Sequence, residues 1–149
     1  MAIMQRNFRQ EDLPRIMDFK RRSMPTSFPG HSLDEERFAK RILKCAEAHP
    51  EWVQVLEGEG KIIGYVWFGL VRSDMDSHGC LHQLFIDESH RNGGLAERLL
   101  KHAEKYLASK GAGRMELKVT HTNGPALRLY GKMNYRKTRL VMEKKLQKI

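Results

Sequence analysis

The sequence predicts an α/β fold with a mixed sheet and helices on both of its faces, in the order β-α-α-β-β-β-α-β-α-β. Two strand-like runs, residues 52–56 and 61–71, are separated by the turn-forming stretch Glu57-Gly58-Glu59-Gly60, which predicts an antiparallel hairpin. Farther along, a strand at 79–87, an amphipathic helix at 94–109 and an alternating segment at 114–120 form a β-α-β unit. Such a unit requires a parallel pair of strands. The sheet is therefore expected to be antiparallel in one part and parallel in the other.

The first half of the chain supplies a strand and two helices. Residues 3–8 predict a short strand, and apolar residues at helical spacing predict a helix that starts at about residue 10. The segment 24–31 contains two prolines and a glycine and is predicted to be a loop. Either Ser32 or Asp34 can cap the second helix.

The second half contains the clearest helix of the chain. Its apolar face comprises Leu95, Leu99, Leu100, Ala103, Tyr106 and Leu107, and Gly111 ends it. A shorter helix is predicted at 123–133. The apolar residues at 140–146 predict a last strand.

Length and composition favour one domain that spans residues 1–149. No apolar run approaches the roughly 18 residues of a membrane helix, and the first residues are too polar for a secretory signal. We therefore expect a cytoplasmic protein without a membrane partner. Cys45 and Cys80 are expected to be free thiols, and the scattered histidines predict no metal site.

The chain is strongly basic, with a net charge of +9. This charge favours an anionic partner, such as nucleic acid, a ribosome, an acidic protein or a phosphate-bearing cofactor. Lysine and arginine are spread over most of the chain, and no nucleic-acid motif is present, so nucleic acid is not the expected partner. A basic module that binds nucleic acid or the ribosome stays open as an alternative function.

The turn between the strand at 79–87 and the helix at 94–109 suits phosphate binding. The first turn of a helix has unpaired backbone N–H groups and a partial positive charge. Gly93 and Gly94 carry no Cβ, so an anion can approach the backbone, and Arg91 adds a full charge. The alternative is that the glycines only permit a tight turn. The turn has neither a P-loop nor a dinucleotide-binding spacing.

Two motifs resemble those of the GNAT family of N-acetyltransferases. The run R-N-G-G-L-A is similar to the family's acetyl-CoA signature [Q/R]-x-x-G-x-[G/A], with matches at Arg91, Gly94 and Ala96. Residues 123–135 are similar to N-x-x-A-x-x-L-Y-x-K-x-G-F, with matches at Asn123, Ala126, Leu129, Tyr130 and Lys132. Asn134-Tyr135 departs from the Gly-Phe of this second motif. The first 50 residues match the family only in coarse pattern.

The resemblance implies that acetyl-CoA is the co-substrate and that its acetyl group passes directly to a primary amine of a small molecule or protein. It also implies a coenzyme site made of Leu84, Phe85, Ile86, Arg91, Asn92, Gly93, Gly94, Leu95, Ala96, Asn123 and Tyr130. Backbone N–H groups around Ile86 are expected to stabilise the thioester oxygen. Asn123 would contact the coenzyme or, equally well, cap the last helix.

Tyr130 and His82 are the candidate catalytic residues. By resemblance, Tyr130 is expected to act as the general acid for the departing thiolate, and the alternative is a packing role. Strand alternation predicts that His82 shares one face with Cys80, Leu84 and Ile86. Arylalkylamine-type family members resemble this arrangement, with histidine as base or water relay, whereas a core histidine is the alternative. Weaker candidates are His31, Asp74, Asp76, His78 and Glu88.

The acceptor amine stays open, and the resemblance permits a protein N-terminus, a lysine, a polyamine, an arylalkylamine or an amino sugar. A GNAT-like domain that binds acetyl-CoA without catalysis is the other alternative function. Dimers are common in the family, so a homodimer is one expected state.

Overall fold

The computed structural model describes residues 2–148 and contains one mixed five-stranded sheet. The strands lie in sequence order across it: β1 (Ile3–Asn7), β2 (Val53–Gly58), β3 (Lys61–Arg72), β4 (Ser77–Ile86) and β5 (Met115–Leu117). The first four are antiparallel to their neighbours, and β5 is parallel to β4. The helices are α1 (Leu13–Ser27), α2 (Glu35–Ala48), α3 (Leu95–Ser109) and α4 (Gly124–Lys132). The predicted fold class is confirmed.

Helices cover both faces of the sheet because β3 is apolar on both of its sides. Tyr65 points into one buried cluster with Phe19 of α1 and Phe38 of α2. Phe68, three residues farther along β3, belongs to a second cluster with Leu99 of α3. Burying a side chain of this size stabilises the fold by roughly 1.5–3 kcal/mol. The strand is thus fixed from both sides, and it fixes β4 beside it.

The hairpin turn between β2 and β3 and the cap of α2 form at residues that the sequence predicts. Gly58 pairs with Lys61, and the two residues between them, Glu59 and Gly60, have positive φ angles of 53° and 76°. Two residues with positive φ form the turn that suits a tight hairpin. At the start of α2, Asp34 accepts a hydrogen bond from the Arg37 amide at 3.0 Å. Asp34, rather than Ser32, is therefore the cap of this helix.

The predicted loop at 24–31 is wrong in its first half, because α1 continues through Pro25 to Ser27. Pro25 cannot donate a backbone hydrogen bond, so α1 lacks one bond in its last turn. The C-terminal end of the helix is still hydrogen-bonded, since the Phe28 amide donates to the Met24 carbonyl at 2.8 Å. The C-terminal half of α1 therefore extends farther along the sheet than the prolines indicate.

The predicted strand at 140–146 is also wrong, since these residues form no regular structure and remain exposed. Leu140 and Met142 are both 90% exposed. A strand at 140–146 would need a neighbour of similar length, but β5 is only three residues long. Arg139 contacts β5 through its side chain alone, at 2.5 Å from Glu116.

The two cysteines lie in different elements and are free thiols, as predicted. The Cys45 sulfur in α2 accepts a hydrogen bond from the Trp67 indole at 3.2 Å. Within residues 2–148, no helix combines the length and the apolar character needed to cross a membrane. The same residues contain no group of three or more His, Cys, Asp or Glu side chains that could hold a metal ion.

Candidate active site

The edge of β4 is open along its last residues. β4 pairs with β5 only from Gly79 to Leu81, and β4 then continues to Ile86. The Asp87 amide donates to the Ile63 carbonyl of β3 at 2.8 Å. Because successive amides point to opposite edges of a strand, those of Leu84 and Ile86 point away from β3. They face the side where β5 has already ended.

The loop after β4 presents further free amides. Asn92 and Gly94 have positive φ angles of 65° and 81°, and Gly94 is the residue before the first turn of α3. The first backbone bond of this helix runs from the Arg98 amide to the Gly94 carbonyl at 3.0 Å. In the part of the chain that the structure describes, the amides of residues 92–97 donate to no protein acceptor. Free amides at a helix N-terminus bind anions.

A cleft of about 490 Å³ joins these two groups of amides. It is bounded by the end of β4, the following loop, the start of α3, α4 and the C-terminal half of α1. The cleft is lined by all but one of the residues predicted to bind the coenzyme, namely Leu84, Phe85, Ile86, Arg91, Asn92, Gly94, Leu95, Ala96, Asn123 and Tyr130. Gly93 does not line it. The residues named from the two sequence motifs therefore meet in one space.

Tyr130 lies in the wall of the cleft that α4 contributes. Its ring packs edge-on against Tyr135, with 5.8 Å between the ring centroids. Burial raises the pKa of the Tyr130 phenol to about 12. The hydroxyl makes no hydrogen bond within the described residues, in contrast to the Tyr135 hydroxyl, which donates to Glu104 at 2.6 Å. Tyr130 is therefore protonated at neutral pH and has a free donor in the cleft.

Asn123 both caps α4 and lines the cleft. Its side-chain oxygen accepts a hydrogen bond from the Ala126 amide at 3.3 Å, so the capping role is present. At the other end of α4, Lys132 donates to Glu97 of α3 at 2.7 Å. The cap fixes the start of α4, and the Lys132–Glu97 pair joins its end to the first turn of α3.

The predicted placement of His82 on one face with Leu84 and Ile86 is wrong, because β4 contains a bulge. Trp67 of β3 pairs with Gln83, and the next residue of β3 pairs with Leu81, which leaves His82 without a partner. Leu84 and Ile86 pack on the α3 side of the sheet. The His82 ring instead lies 5.1 Å from the Trp67 ring, whose cluster is on the side of α1 and α2. His82 does not line the cleft.

The surroundings of His82 favour its neutral form. Partial burial lowers the pKa of the imidazole, and the positive charge of Arg41 lowers it further. The Arg41 guanidinium lies 5.1 Å from the centre of the Trp67 ring, on the same side of the sheet as His82. The Cys80 sulfur is 3.9 Å from Nδ1 of His82. His82 retains exposed surface and can therefore exchange protons with solvent.

The weaker candidates are either held in ion pairs or lie outside the cleft. Asp76 is 2.7 Å from Arg114 and 3.0 Å from His78, and hydrogen bonds from these two side chains lower its pKa to about 2. Glu88 lines the cleft but is held by Arg22 of α1 at 2.5 Å. The last two of these candidates lie outside the cleft: Asp74 and His31.

Comparison with known proteins identifies the family. The profile of the family described as "Acetyltransferase (GNAT) family" matches residues 13–135. The chain belongs to the GNAT family. This result confirms the resemblance found in the sequence and the predicted enzyme class, an acyltransferase.

Two curated relatives differ in how much of this chain they match. A putative [ribosomal protein bS18]-alanine N-acetyltransferase of Bacillus subtilis (strain 168) is 27% identical over 127 residues, which cover 85% of this chain and 76% of that protein. A streptothricin acetyltransferase of Streptomyces lavendulae is 31% identical over 55 residues, which cover 37% of this chain. The chain spans only 29% of the length of the streptothricin enzyme.

Solved GNAT structures share the whole fold at low sequence identity. A GCN5-related N-acetyltransferase from Ralstonia eutropha JMP134 superposes with a TM-score of 0.79 at 18% identity, covering 96% of this chain and 98% of that chain. A possible acetyltransferase from Clostridium difficile 630 gives 0.76 at 18% identity and covers both chains completely. The identities are low, so these likenesses concern the fold.

The contribution of α1 to the cleft is the part that the sequence did not indicate. Ser23, Thr26 and Ser27 of α1 line the cleft. The helix is held there by Asp87, which is 2.9 Å from Arg15 and 3.3 Å from Arg22. These pairs join residues far apart in sequence, so no local pattern could have shown them.

Proposed function

We propose that this protein transfers the acetyl group of acetyl-CoA directly to a primary amine of a small molecule or protein. One observation carries the proposal: the free amides of residues 92–97 and those of Leu84 and Ile86 open into the same cleft. The first group suits a pyrophosphate, and the second suits an extended thioester arm and its carbonyl oxygen. GNAT enzymes use acetyl-CoA, which has these parts.

The loop before α3 is suited to the pyrophosphate of the coenzyme. No atom lies within 4 Å of the position that a Cβ on Gly94 would occupy, so an anion can reach the backbone there. Arg91 lines the same cleft, and its Nε donates to the Ile86 carbonyl at 2.8 Å. This bond fixes the guanidinium at the end of β4, where it adds positive charge beside the free amides.

The reaction follows from the groups around the end of β4. The neutral amine attacks the thioester carbonyl carbon, and the oxygen takes up negative charge. The Ile86 amide, which points away from β3, is the donor assigned to that oxygen. The carbon–sulfur bond then breaks, the coenzyme leaves as a thiolate, and the amine loses a proton. No covalent enzyme intermediate is required.

Tyr130 is assigned to the departing thiolate. Its pKa of about 12 keeps the phenol protonated throughout the neutral range. Full proton transfer to a thiolate whose conjugate thiol has a pKa of about 8.5 is uphill by roughly 5 kcal/mol. A hydrogen bond to the sulfur is therefore the larger part of its contribution. The proton that completes the thiol comes in the end from the amine.

His82 is assigned to the acceptor side of the reaction. The lowered pKa of the imidazole keeps it neutral at pH 7, so it can take a proton from an amine or from a water beside it. Its place on the α1 and α2 side of the sheet, away from the coenzyme cleft, suits a relay through water better than direct contact with the thioester.

Thermal unfolding with and without acetyl-CoA tests the coenzyme site. At 100 times the dissociation constant, the ligand stabilises the native state by about 2.7 kcal/mol, which gives a clear rise in melting temperature. Gly94→Glu introduces a carboxylate among the free amides and should abolish this rise. Gly111→Glu is the matched control, since Gly111 also has a positive φ, of 94°, with open space around it, at the other end of α3.

The control separates loss of binding from backbone strain. Both variants should unfold at a lower temperature than the wild type, because a side chain at positive φ costs roughly 1–2 kcal/mol. Only Gly94→Glu should lose the response to acetyl-CoA. A wild-type protein that shows no response at saturating coenzyme contradicts the proposed function and favours the basic nucleic-acid-binding module.

A further inference from the structure

A second cavity, of about 250 Å³, lies between the C-terminal half of α1, the following loop and α2. It is separate from the coenzyme cleft, and its walls carry three cationic side chains, those of Lys20, Arg37 and Arg41. The cavity is smaller than the roughly 300–1,000 Å³ of sites that enclose a whole small molecule. Its size suits one end of a ligand.

Lys20 is buried without a partner of opposite charge. The residue is 6% exposed, and its ammonium group makes no ion pair or hydrogen bond within residues 2–148. Its Nζ lies 4.9 Å from the centre of the Phe28 ring and 5.5 Å from that of Phe38. Burial lowers the pKa of the ammonium, and the charge of Arg41 lowers it further. An ammonium that lines a cavity without an anionic partner can bind a negatively charged group there.

Nothing in the cavity neutralises this charge. The carboxylate in its wall, that of Asp34, is 63% exposed, lies 3.9 Å from Nε of Arg37 and accepts the capping bond from the Arg37 amide, so it does not reach Lys20 as an ion-pair partner. Arg41 adds a second positive charge to that of Lys20, and Arg37 adds a third that Asp34 partly offsets. A cationic group would meet repulsion here, whereas a carboxylate or phosphate would receive several charge-assisted hydrogen bonds.

The cavity is connected to the acceptor side of the reaction through a cation–π contact and a contact between two rings. The Arg41 guanidinium, in the cavity wall, lies 5.1 Å from the centre of the Trp67 ring. The Trp67 ring also contacts His82, whose ring centroid is 5.1 Å away. A ligand whose anionic end occupies the cavity therefore lies on the same side of the sheet as the proposed proton acceptor.

We propose that this cavity binds the carboxylate or phosphate of a small amine acceptor, with Lys20 and Arg41 as the residues that set this specificity. The inference rests on the proposed function and narrows it to anionic amines. It places polyamines and other polycationic amines among the poor acceptors.

Matched acceptor pairs test the preference. Each pair differs by one anionic group: ethanolamine and O-phosphoethanolamine, glucosamine and glucosamine 6-phosphate, phenethylamine and phenylalanine. For at least one pair, kcat/KM should favour the anionic member by about 10- to 100-fold, the size of a charge-assisted contact. Lys20→Met should remove the preference through KM. Lys44→Met is the matched control, because Lys44 is exposed on the same helix as Arg41 and lies outside the cavity.

Stability gives a second readout that a structural role would not reproduce. Removing an unpaired buried charge should leave the melting temperature of Lys20→Met equal to or above that of the wild type. The proposal is overturned if neutral or cationic amines are preferred, or if Lys20→Met and Lys44→Met reduce the preference equally. The second result would indicate a general effect of net charge.

A binding measurement covers the case in which none of these amines is acetylated. Inorganic phosphate is titrated calorimetrically into the protein with saturating acetyl-CoA present. Binding that Lys20→Met abolishes and Lys44→Met retains supports the cavity, and its absence overturns the inference. The wild-type response to acetyl-CoA alone reports on the proposed function, so the two failures can be distinguished.

Discussion

The ring of His82 lies 5.1 Å from the ring of Trp67, across a bulge in which His82 has no partner on β3. The bulge turns the imidazole toward α1 and α2, while Leu84 and Ile86 pack toward α3. One strand thus serves both sides of the sheet. Its free amides face the coenzyme cleft, and its histidine faces the side to which we assign the acceptor.

The pH dependence of the reaction should report on His82. Protonation of the imidazole removes the proton acceptor, and its pKa lies below the usual value of about 6.5. The acidic limb of the kcat profile is therefore expected below pH 6.5. Arg41→Gln removes a positive charge that lowers this pKa, so the limb should move to higher pH. Rates at saturating acceptor across pH 5–9 measure the shift.

Arg37→Gln is the control for this experiment, since Arg37 lines the same cavity but does not perturb the His82 pKa. Its pH profile should match that of the wild type. Titration of the imidazole by NMR gives the pKa without turnover, and a value above 6.5 would contradict the assignment.

Tyr130→Phe should lower kcat by about 10- to 100-fold and leave the affinity for acetyl-CoA unchanged, because the hydroxyl acts on the leaving thiolate. The melting temperature should stay the same, since the hydroxyl makes no hydrogen bond within the described residues. Stopped assays of product formation and calorimetric binding of acetyl-CoA separate the two effects.

Tyr135→Phe tests the opposite combination. It removes the 2.6 Å hydrogen bond to Glu104 and should cost about 1 kcal/mol of unfolding free energy with little change in kcat. If the two variants lose equal activity, the role assigned to Tyr130 is wrong.

Gly64→Ala should damage both the fold and the proposed oxyanion donor. A Cβ on Gly64 would lie 2.6 Å from Cδ1 of Ile86 and 2.9 Å from the Phe85 carbonyl oxygen. The required shift of β4 should cost roughly 1–3 kcal/mol and displace the Ile86 amide, so kcat should fall. Gly113→Ala has no atom within 4 Å of the new Cβ and should have neither effect. For both variants, urea unfolding measures the loss of stability and steady-state rates measure the change in kcat.

His102 should make stability depend on pH. Its buried Nε2 has no hydrogen-bond partner in the described chain, and burial lowers its pKa, although Glu51 opposes the shift. The unfolded state then binds the proton more readily, so stability rises with pH through the interval between the folded pKa and about 6.5. His102→Leu removes this contribution and should stabilise the protein by about 1 kcal/mol or more at pH 5 and by less at pH 8.

Denaturant unfolding at both pH values measures the difference. His121→Leu, at an exposed position, serves as the control and should show no such dependence on pH. An equal effect of His102→Leu at pH 5 and pH 8 would show that protonation of His102 does not influence folding.

Local signals predicted the α3 side of the site well, and tertiary contacts determine the rest. The turn at Gly94 and the cap at Asn123 are properties of a few adjacent residues, and both are found where the sequence indicates. The bulge at His82 arises from the pairing of β4 with β3, so strand alternation alone assigned the wrong face. The strand expected at 140–146 failed for the same reason, because a strand requires a partner.

The acceptor side could not be read from the sequence. Lys20 lies in an amphipathic stretch where a lysine is ordinarily solvated, and only the packing of Phe28 and Phe38 around it shows that it is buried. The continuation of α1 through Pro25 brings Phe28 there, contrary to the loop expected from the prolines. The packing of α1 and α2, rather than residue type, therefore creates the second cavity around Lys20.

The last turns of α1 and the residue after them line both the coenzyme cleft and the second cavity, which contains Lys20. Ser23 and Ser27 line the coenzyme cleft, and Met24 and Phe28 line the second cavity. A rotation of this helix that favours one ligand alters the fit of the other. The two binding free energies are then coupled, and such coupling acts equally in both directions. Acetyl-CoA should change the affinity for an anionic amine by the same factor as the amine changes the affinity for acetyl-CoA.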